Sequence, residues 1–231
     1  MKKADQPSLG NRRCCPNDGL ILDFYEGCYE AVYIALHPFL RPIKIEYEKF
    51  YPETYPENWE ILVGCDPVTW REFLQLSSMS DISKVDEALR ADIGGIKKTK
   101  RNSLLIDEVR HAMDGTKLIP PFEGELPPHL KVKICEALIK LGYDEALISD
   151  EFCDETKKIS VDKISESDVL PVHGHINTID HQFLVTTHWD SHCTFICSTK
   201  SEIDKLLSFA EIEGFFCDAK DQVYWGLFSN R

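Results

Sequence analysis

The stretch QFLVTTHWDSHCTFICS, residues 182–198, decides the predicted fold. Its two arms, residues 182–188 and 193–198, are rich in β-branched and aromatic residues, and the polar residues between them are typical of a turn. The arms therefore predict an antiparallel β-hairpin. The amphipathic segment 201–210 that follows predicts a helix capped by Ser201, and residues 222–228 around Trp225 predict a closing strand. We expect the C-terminal part of the chain to form a hairpin–helix–strand unit.

Upstream of the hairpin, helix signals alternate with short strand signals. Asp66-Pro67 offers an N-cap followed by proline, and Thr69 with Glu72 adds a capping-box pattern. Further helices are predicted over residues 83–92, 103–115 and 130–141. Strands are predicted over residues 43–48 and 59–63, whereas residues 30–36 fit either a helical turn or a buried strand. The predicted fold class is α+β, with mixed helices and short antiparallel strands.

Residues 118–129, LIPPFEGELPPH, contain four prolines and one glycine and mark a domain boundary or a rigid crossing. This segment divides the chain into a flexible N-terminus over residues 1–13, an N-terminal α+β lobe over 14–117 and a C-terminal α+β lobe over 130–231. A chain of 231 residues is also short enough to form one single domain.

The composition is that of an ordinary globular protein, with 43% hydrophobic and 28% charged residues. The formal net charge of −13 argues against broad binding to nucleic acids or anionic membranes. The N-terminus has no apolar core typical of a signal peptide, and the longest aliphatic and aromatic run, residues 31–36, is too short to span a membrane. The nine cysteines contain no C-x-x-C motif. We therefore expect a soluble, cytoplasmic protein with reduced cysteines.

Five of the eight histidines fall between residues 173 and 192, the one local concentration of side chains suited to chemistry. In an extended segment, His173 and His175 share one face because strand side chains alternate with a period of two. His188, Asp190 and His192 lie at the hairpin tip. Imidazole and carboxylate groups bind zinc, iron or manganese ions, and a three-ligand site with an open position can activate water. These five residues are the predicted metal ligands of a metal-dependent hydrolase.

A structural role is the simpler alternative for the same histidines. A two-residue turn at residues 190–191 pairs His188 with Cys193 and sends His188 and His192 to opposite faces of the ribbon. The segment also lacks the His-x-His-x-Asp-His pattern of metallo-β-lactamase-type hydrolases, since Asn177 and Thr178 occupy the later positions. The same pairing suggests a third interpretation, in which His188 activates Cys193 as a nucleophile.

Residues 97–101, KKTKR, form the one dense basic run. The run follows two glycines and precedes a predicted helix start, where free backbone N–H groups favour an anion. Residues 94–103 are therefore a candidate phosphate or nucleotide site. The run lacks the Walker pattern G-x-x-x-x-G-K-[ST], and a solvated loop is the simpler alternative.

The acidic segment, residues 144–168, carries nine carboxylates and three lysines. It predicts a solvated face or a surface for a basic partner. The chain has no G-x-S-x-G, H-E-x-x-H, G-x-G-x-x-G or kinase signature. Together with the net charge of −13, these absences favour a non-enzymatic protein that recognises a basic protein partner through its acidic surface. The metal-dependent hydrolase and the phosphate-binding protein are the alternatives.

Four segments of the chain carry a resemblance to known proteins. They are CCPNDG at residues 14–19, LHPFLRP at 36–42, WDSHCT at 189–194 and EGFFC at 213–217 with Trp225 downstream. Together they resemble a small family of uncharacterised bacterial proteins catalogued as a domain of unknown function. The resemblance spans nearly the whole chain and implies a bacterial, cytoplasmic protein. It implies no activity and therefore transfers no functional residues.

Overall fold

The computed structural model describes residues 13–77, 79, 81–96 and 98–223. The helices are α1 (Ile21–Phe24), α2 (Asn58–Gly64), α3 (Trp70–Leu76), α4 (Ile82–Ile93), α5 (Ser103–Thr116), α6 (Pro128–Lys140), α7 (Val161–Glu166) and α8 (Lys200–Phe209). The strands are β1 (Ala31–Leu36), β2 (Phe39–Pro42), β3 (Cys65–Val68), β4 (Glu145–Ser149), β5 (Thr156–Ser160), β6 (His175–Thr178), β7 (Leu184–Thr187), β8 (Cys193–Ser198) and β9 (Gly214–Phe216). Helices and antiparallel strands together confirm the α+β class.

A seven-stranded antiparallel sheet, ordered β5-β4-β6-β7-β8-β1-β9, lies between two layers of helices. The side chains of Val32 and Ile34 in β1 join a core with α1, α3, α4 and α5. The side chains of Tyr33 and Ala35, on the opposite face, join a core with α6, α7 and α8. Because both faces of the sheet are covered, β1 is an almost continuous apolar run rather than an alternating one. The structure thus resolves residues 30–36 as a buried strand.

The β7–β8 hairpin has the predicted register. Thr187 pairs with Thr194 and Leu184 with Cys197, the register that the predicted pairing of His188 with Cys193 implies. Residues 188–192 form the connecting loop. The hairpin continues through α8 into β9, which pairs with β1. The predicted hairpin–helix–strand unit is therefore confirmed, although its strand is Gly214–Phe216. Of the predicted strand 222–228, only Gln222 and Val223 are described, and Gln222 forms an isolated bridge with Leu20.

Helices α4 and α5 begin and end close to the predicted positions because residues next to the helix ends cap them. Asn102 accepts a hydrogen bond from the Leu105 backbone at the start of α5, and Gly94 adopts a left-handed conformation after α4. Two predicted caps were wrong. Asp66-Pro67 lies inside β3 rather than at a helix start, whereas Thr69 caps α3 as predicted. The cap of α8 is Thr199 rather than Ser201.

The strands predicted over residues 43–48 and 59–63 were also wrong. Residues 43–46 are irregular and continue into the 3₁₀ helix Tyr47–Phe50. Residues 59–63 lie within α2, which begins with a reciprocal capping box between Glu57 and Glu60. In α2 only Ile61 and Gly64 are buried, while Trp59 remains 64% exposed. A short apolar run can therefore form a helix that buries a single side.

β1 belongs to the predicted N-terminal lobe and β8 to the predicted C-terminal lobe, and the two strands pair along their whole length. The division of the chain into domains stays a prediction. The predicted flexible N-terminus, residues 1–13, lies outside the described residues except for Arg13. Among the helices in the described part of the chain, none combines the length and the apolar character that crossing a bilayer requires.

Candidate functional site

A cavity of about 550 Å³ opens between the region of the 3₁₀ helix Tyr47–Phe50 and the proline-rich segment 118–129. We call this cavity the aromatic pocket. Among the described residues, its lining contains five aromatic residues, three prolines and three glutamates, and no lysine or arginine. The lining residues are Tyr47, Phe50, Tyr51, Tyr55, Pro56, Glu57, Asn58, Ile119, Pro120, Pro121, Phe122, Glu123 and Glu125.

The proline-rich wall of the pocket is anchored to β2. Ile119 and Leu40 exchange two backbone hydrogen bonds, with N···O distances of 2.9 and 3.1 Å. Pro120 and Pro121 lack a backbone N–H and cannot extend this bridge into a strand. The segment therefore leaves β2 and turns toward the opening of the pocket.

The opposite wall is aromatic. The rings of Phe50 and Tyr55 meet edge to face, with centroids 5.4 Å apart. Tyr47, Phe50 and Phe122 pack against a small buried cluster that includes Leu40. Tyr51 and Tyr55 are 58% and 45% exposed, so a ligand that enters the pocket reaches their rings from solvent.

Gly124 holds the two glutamates of the proline-rich wall against the hairpin loop. Its backbone N–H donates to the carbonyl oxygen of Ser191 at 2.9 Å. Its φ is +67°, and a Cβ at this position would overlap the carbonyl oxygen of Trp189. The close approach of the two backbones therefore requires glycine between Glu123 and Glu125.

The carboxylates of the pocket lie near other negative groups. Burial, and then the charge of Asp190, raise the pKa of Glu123, while the His173 imidazole lowers it. Burial, Cys65 and then the charge of Glu125 raise the pKa of Tyr55 to about 12. Among the described residues, neither Glu123 nor Glu125 forms a salt bridge. A cation in the pocket would relieve this repulsion.

The aromatic pocket is continuous with the acidic segment. Asn58 and Glu125 also line a smaller neighbouring cavity of about 210 Å³, together with Asp168. The Asn58 side chain donates to the Asp168 carboxylate at 2.8 Å. Asp168 is the last carboxylate of the acidic segment, and the ammonium group of Lys131, which also lines the smaller cavity, lies 3.7 Å from it.

The predicted metal-binding histidines instead contact backbone groups. The Nδ1 atom of His173 donates to the Gly124 carbonyl oxygen at 2.8 Å. The Nε2 atom of His175 donates to the Glu151 carbonyl oxygen at 3.1 Å, and its Nδ1 lies 2.8 Å from the Thr186 hydroxyl. These two imidazoles are therefore held by loops rather than directed together.

The hairpin loop contains the other three predicted ligands. The backbone N–H of Asp190 donates to His188 Nδ1 at 3.1 Å, and His188 Nε2 lies 3.3 Å from the Asn17 carbonyl oxygen. Burial lowers the pKa of His188 to about 4 and that of His192 to about 3. Among the described residues, no group of three or more His, Cys, Asp or Glu side chains is arranged to hold a metal ion. The metal centre, whether zinc, iron or manganese, stays a prediction.

Two further buried residues of this region are Cys193, the suggested nucleophile, and His37. Burial raises the pKa of Cys193 to about 12, which is opposite to what the suggested nucleophile needs. Sequence reasoning overlooked His37, which is fully buried and donates from Nδ1 to the Phe122 carbonyl oxygen at 2.6 Å. Its Nε2 lies 2.8 Å from the Thr194 hydroxyl. His37 thus connects the wall of the aromatic pocket to β8.

The candidate phosphate site at residues 94–103 is partly described, since Lys97 lies outside the described residues. Arg101 directs its guanidinium to the carbonyl oxygens of Ile96 and Gly94, at 2.9 and 3.2 Å. The Asn102 side chain accepts a hydrogen bond at the start of α5. The Arg101 and Asn102 side chains therefore form hydrogen bonds with nearby backbone groups. Phosphate binding stays a prediction.

A cluster of thiols was missed by sequence reasoning. The side chains of Cys14, His175 and Ser149 lie beside the Cys153 thiol, in the loop between β4 and β5, and lower its pKa. We call these four residues the thiol cluster. Sequence reasoning considered His175 only as a metal ligand. Its meeting with Cys153 depends on the pairing of β4 with β6, which no local motif specifies.

The fold and the pocket define a layered, antiparallel α+β protein with a cavity lined by aromatic and acidic residues. A comparison with known protein families matches residues 17–227 to the family described as Protein of unknown function (DUF2711). The chain belongs to this family, which confirms the resemblance to an uncharacterised family. A search of curated proteins finds no match. A search of solved structures finds no match either.

Proposed function

We propose that this protein recognises a basic protein partner and that a lysine or arginine side chain of the partner enters the aromatic pocket. The observation that carries the proposal is the lining of the pocket. It combines five aromatic rings with three carboxylates, and none of the described lining residues is a lysine or arginine. This composition favours a positively charged organic group over a neutral or anionic one.

Two physical effects favour a cation in the pocket. A lysine or arginine over an aromatic face gains about 0.5–2 kcal/mol, depending on how far it is desolvated. The cation also neutralises Glu123, whose pKa is raised by burial and by Asp190. An anion would meet the opposite charge pattern, and a neutral group would gain neither effect. The guanidinium group is especially suited because it can stack on a ring while it donates to a carboxylate.

The remaining acidic surface contributes attraction at longer range. The net charge of −13 attracts a basic partner, and the acidic segment adjoins the pocket at Asp168. The metal-dependent hydrolase and the phosphate-binding protein gain no comparable support from contacts among the described residues.

Isothermal titration calorimetry at low salt tests the proposal with a capped four-arginine peptide and its citrulline analogue. Citrulline has nearly the shape of arginine but no charge, so it separates charge recognition from packing. We expect the arginine peptide to bind and the citrulline peptide to bind at least tenfold more weakly. Equal affinities for the two peptides would contradict recognition of a cation.

A matched pair of variants locates the binding site. Glu123→Gln with Glu125→Gln removes two charges from the pocket and should weaken the arginine peptide about tenfold, at roughly 0.5–1 kcal/mol for each charge. Glu87→Gln with Glu108→Gln removes the same charge from exposed positions on α4 and α5. We expect less than a twofold change for this control. If both double variants lose affinity equally, the peptide responds to net charge and the pocket proposal fails.

A further inference from the structure

A second cavity, of about 580 Å³, lies at the edge of the seven-stranded sheet, where β9 begins. We call it the edge cavity. Its walls come from β1, from the first turns of α3 and α6, and from residues 211–214. Among the lining residues that the structure describes, none is shared with the aromatic pocket. The volume of the edge cavity lies within the range of about 300–1,000 Å³ that is typical of small-molecule sites.

The segment that leads into β9 holds side chains of two elements around the edge cavity. The Lys133 ammonium group of α6 donates to the Glu211 carbonyl oxygen at 2.8 Å. The Tyr33 hydroxyl of β1 donates to the next carbonyl oxygen along the chain, that of Ile212, at 2.9 Å. The two side chains are therefore fixed on neighbouring residues of one wall.

The Glu213 carboxylate joins the same wall to the start of α3. Its two oxygens accept hydrogen bonds from the backbone N–H groups of Trp70 and Arg71, at 2.6 and 3.1 Å. Backbone donors at a helix start offset the negative charge of a carboxylate. Glu213 therefore serves to position α3, and its charge attracts a cation in the cavity only weakly.

Two cationic side chains of the lining lack an acidic partner. Neither Arg71 nor Lys133 forms a salt bridge with another described residue. Burial, followed by the charge of Glu213, raises the pKa of Tyr33 to about 12, while the charge of Arg71 acts in the opposite direction. Burial and, to a smaller extent, the charge of Lys133 lower the pKa of His129. The guanidinium group therefore lies near the Tyr33 hydroxyl, and the ammonium group lies near the neutral imidazole.

The rest of the lining is largely apolar. Leu36, Pro38, Pro67, Leu130 and Ile212 contribute hydrocarbon surface to the cavity. A ligand that covers such surface gains free energy in proportion to the apolar area removed from water. The lining therefore favours an organic ligand over an inorganic ion.

We propose that the edge cavity binds a small carboxylic acid with an apolar body. This site is separate from the aromatic pocket and goes beyond the recognition of a basic partner. The planar guanidinium of Arg71 matches the geometry of a carboxylate, and Lys133 adds a second positive charge. Glu211 and Glu213 repel a phosphate dianion about twice as strongly as a carboxylate. The charge pattern therefore favours a ligand with a single negative charge.

Ligand-observed NMR titrations at pH 7 test the proposal with hexanoate, octanoate, hexanamide and inorganic phosphate. Hexanamide has nearly the shape of hexanoate but no charge. We expect hexanoate to bind about tenfold more tightly than hexanamide and phosphate, because its carboxylate accepts charge-assisted hydrogen bonds. Octanoate should bind roughly five- to tenfold more tightly than hexanoate, because it buries two further methylene groups. Equal affinities for hexanoate and hexanamide, or no binding of octanoate, would overturn the proposal.

A matched pair of variants locates the site. Arg71→Gln with Lys133→Gln removes both cations from the edge cavity and should weaken octanoate about tenfold. Lys84→Gln with Lys157→Gln removes the same charge from exposed positions on α4 and β5. We expect less than a twofold change for this control. Equal losses in the two double variants would show a response to net charge and would overturn the proposal.

The single variant Arg71→Gln covers the case in which the double variant does not fold, because the Arg71 residue is exposed. It should weaken octanoate about fivefold and leave the free energy of unfolding unchanged in urea. Glu123→Gln with Glu125→Gln, in the aromatic pocket, should change the affinity for octanoate less than twofold. Octanoate binding that responds to the aromatic-pocket variant, or that Arg71→Gln leaves unchanged, would overturn the proposal.

Discussion

The buried imidazole of His37 makes the stability of the protein depend on pH in a calculable way. His37 donates from Nδ1 to the Phe122 carbonyl oxygen and accepts at Nε2 from the Thr194 hydroxyl, so the neutral ring satisfies both nitrogens. Burial lowers its pKa from 6.5 to about 4. As the pH falls below 6.5, the unfolded chain therefore takes up a proton that the folded protein excludes. The stability from His37 is present near pH 7 and is lost progressively down to about pH 4.

The size of this effect follows from the two pKa values. Between pH 7 and pH 5 the free energy of unfolding falls by about 2 kcal/mol because of His37 alone. The perturbation is His37→Gln, since glutamine can still donate to Phe122 and accept from Thr194. The variant is less stable at pH 7, but its stability should depend less on pH by about 2 kcal/mol over the same interval.

Urea unfolding of both proteins at pH 7, 6 and 5 measures this difference. His188 and His192 also titrate with lowered pKa values in both proteins, and the pKa of His192, which burial and then His37 lower, should rise in the variant. The wild-type and variant stabilities should therefore converge as the pH falls. Two curves that run parallel from pH 7 to pH 5 would show that His37 is not held neutral by burial and would refute the reasoning.

Three other predictions concern the hairpin loop and its contacts. Gly124→Ala places a methyl group against the Trp189 carbonyl oxygen and should lower the free energy of unfolding, measured in urea, by more than about 2 kcal/mol. The control Gly115→Ala lies in α5 with open space around it, and it should raise the free energy of unfolding by about 0.5–1 kcal/mol in the same experiment. Elemental analysis of untagged protein purified without chelator should find less than one equivalent of zinc, iron or manganese, and stoichiometric metal that disappears in His188→Ala with His192→Ala would restore the predicted metal centre. Binding of the arginine peptide should weaken on acidification at a pH above 4.5, the ordinary value for a glutamate, because the pKa of Glu123 is raised; a peptide that binds equally at pH 7 and pH 4.5 would contradict this.

The sequence predicted the elements that are specified by neighbouring residues. The hairpin register follows from its two arms and the short loop between them, and the ends of α4 and α5 follow from Gly94 and Asn102. The strand predicted over residues 43–48 failed because its alternating pattern has another cause. Ile45 and Tyr47 pack against a small cluster while Ile43 remains 52% exposed, and no partner strand is involved. Local alternation reports which side is buried, not the backbone conformation.

The aromatic pocket and the thiol cluster could not be predicted because each joins distant segments. The aromatic pocket combines residues 47–58 with residues 119–125, and the contact depends on the bridge between Leu40 and Ile119. The thiol cluster depends on the order of strands in the sheet, which brings Cys153 to His175. The sequence did contain one useful signal at each site. The proline-rich segment was identified as a crossing, and His175 was identified as a residue suited to chemistry.

The central claim is that the aromatic pocket receives a cationic side chain, and site-resolved photo-crosslinking tests it most directly. An arginine-rich peptide with a diazirine group next to its central arginine is irradiated with the protein, and mass spectrometry locates the attached residues. We predict attachment within residues 47–58 and 119–125, and loss of that attachment in Glu123→Gln with Glu125→Gln. Attachment mainly within the acidic segment 144–168, or attachment that the double variant leaves unchanged, would contradict the account.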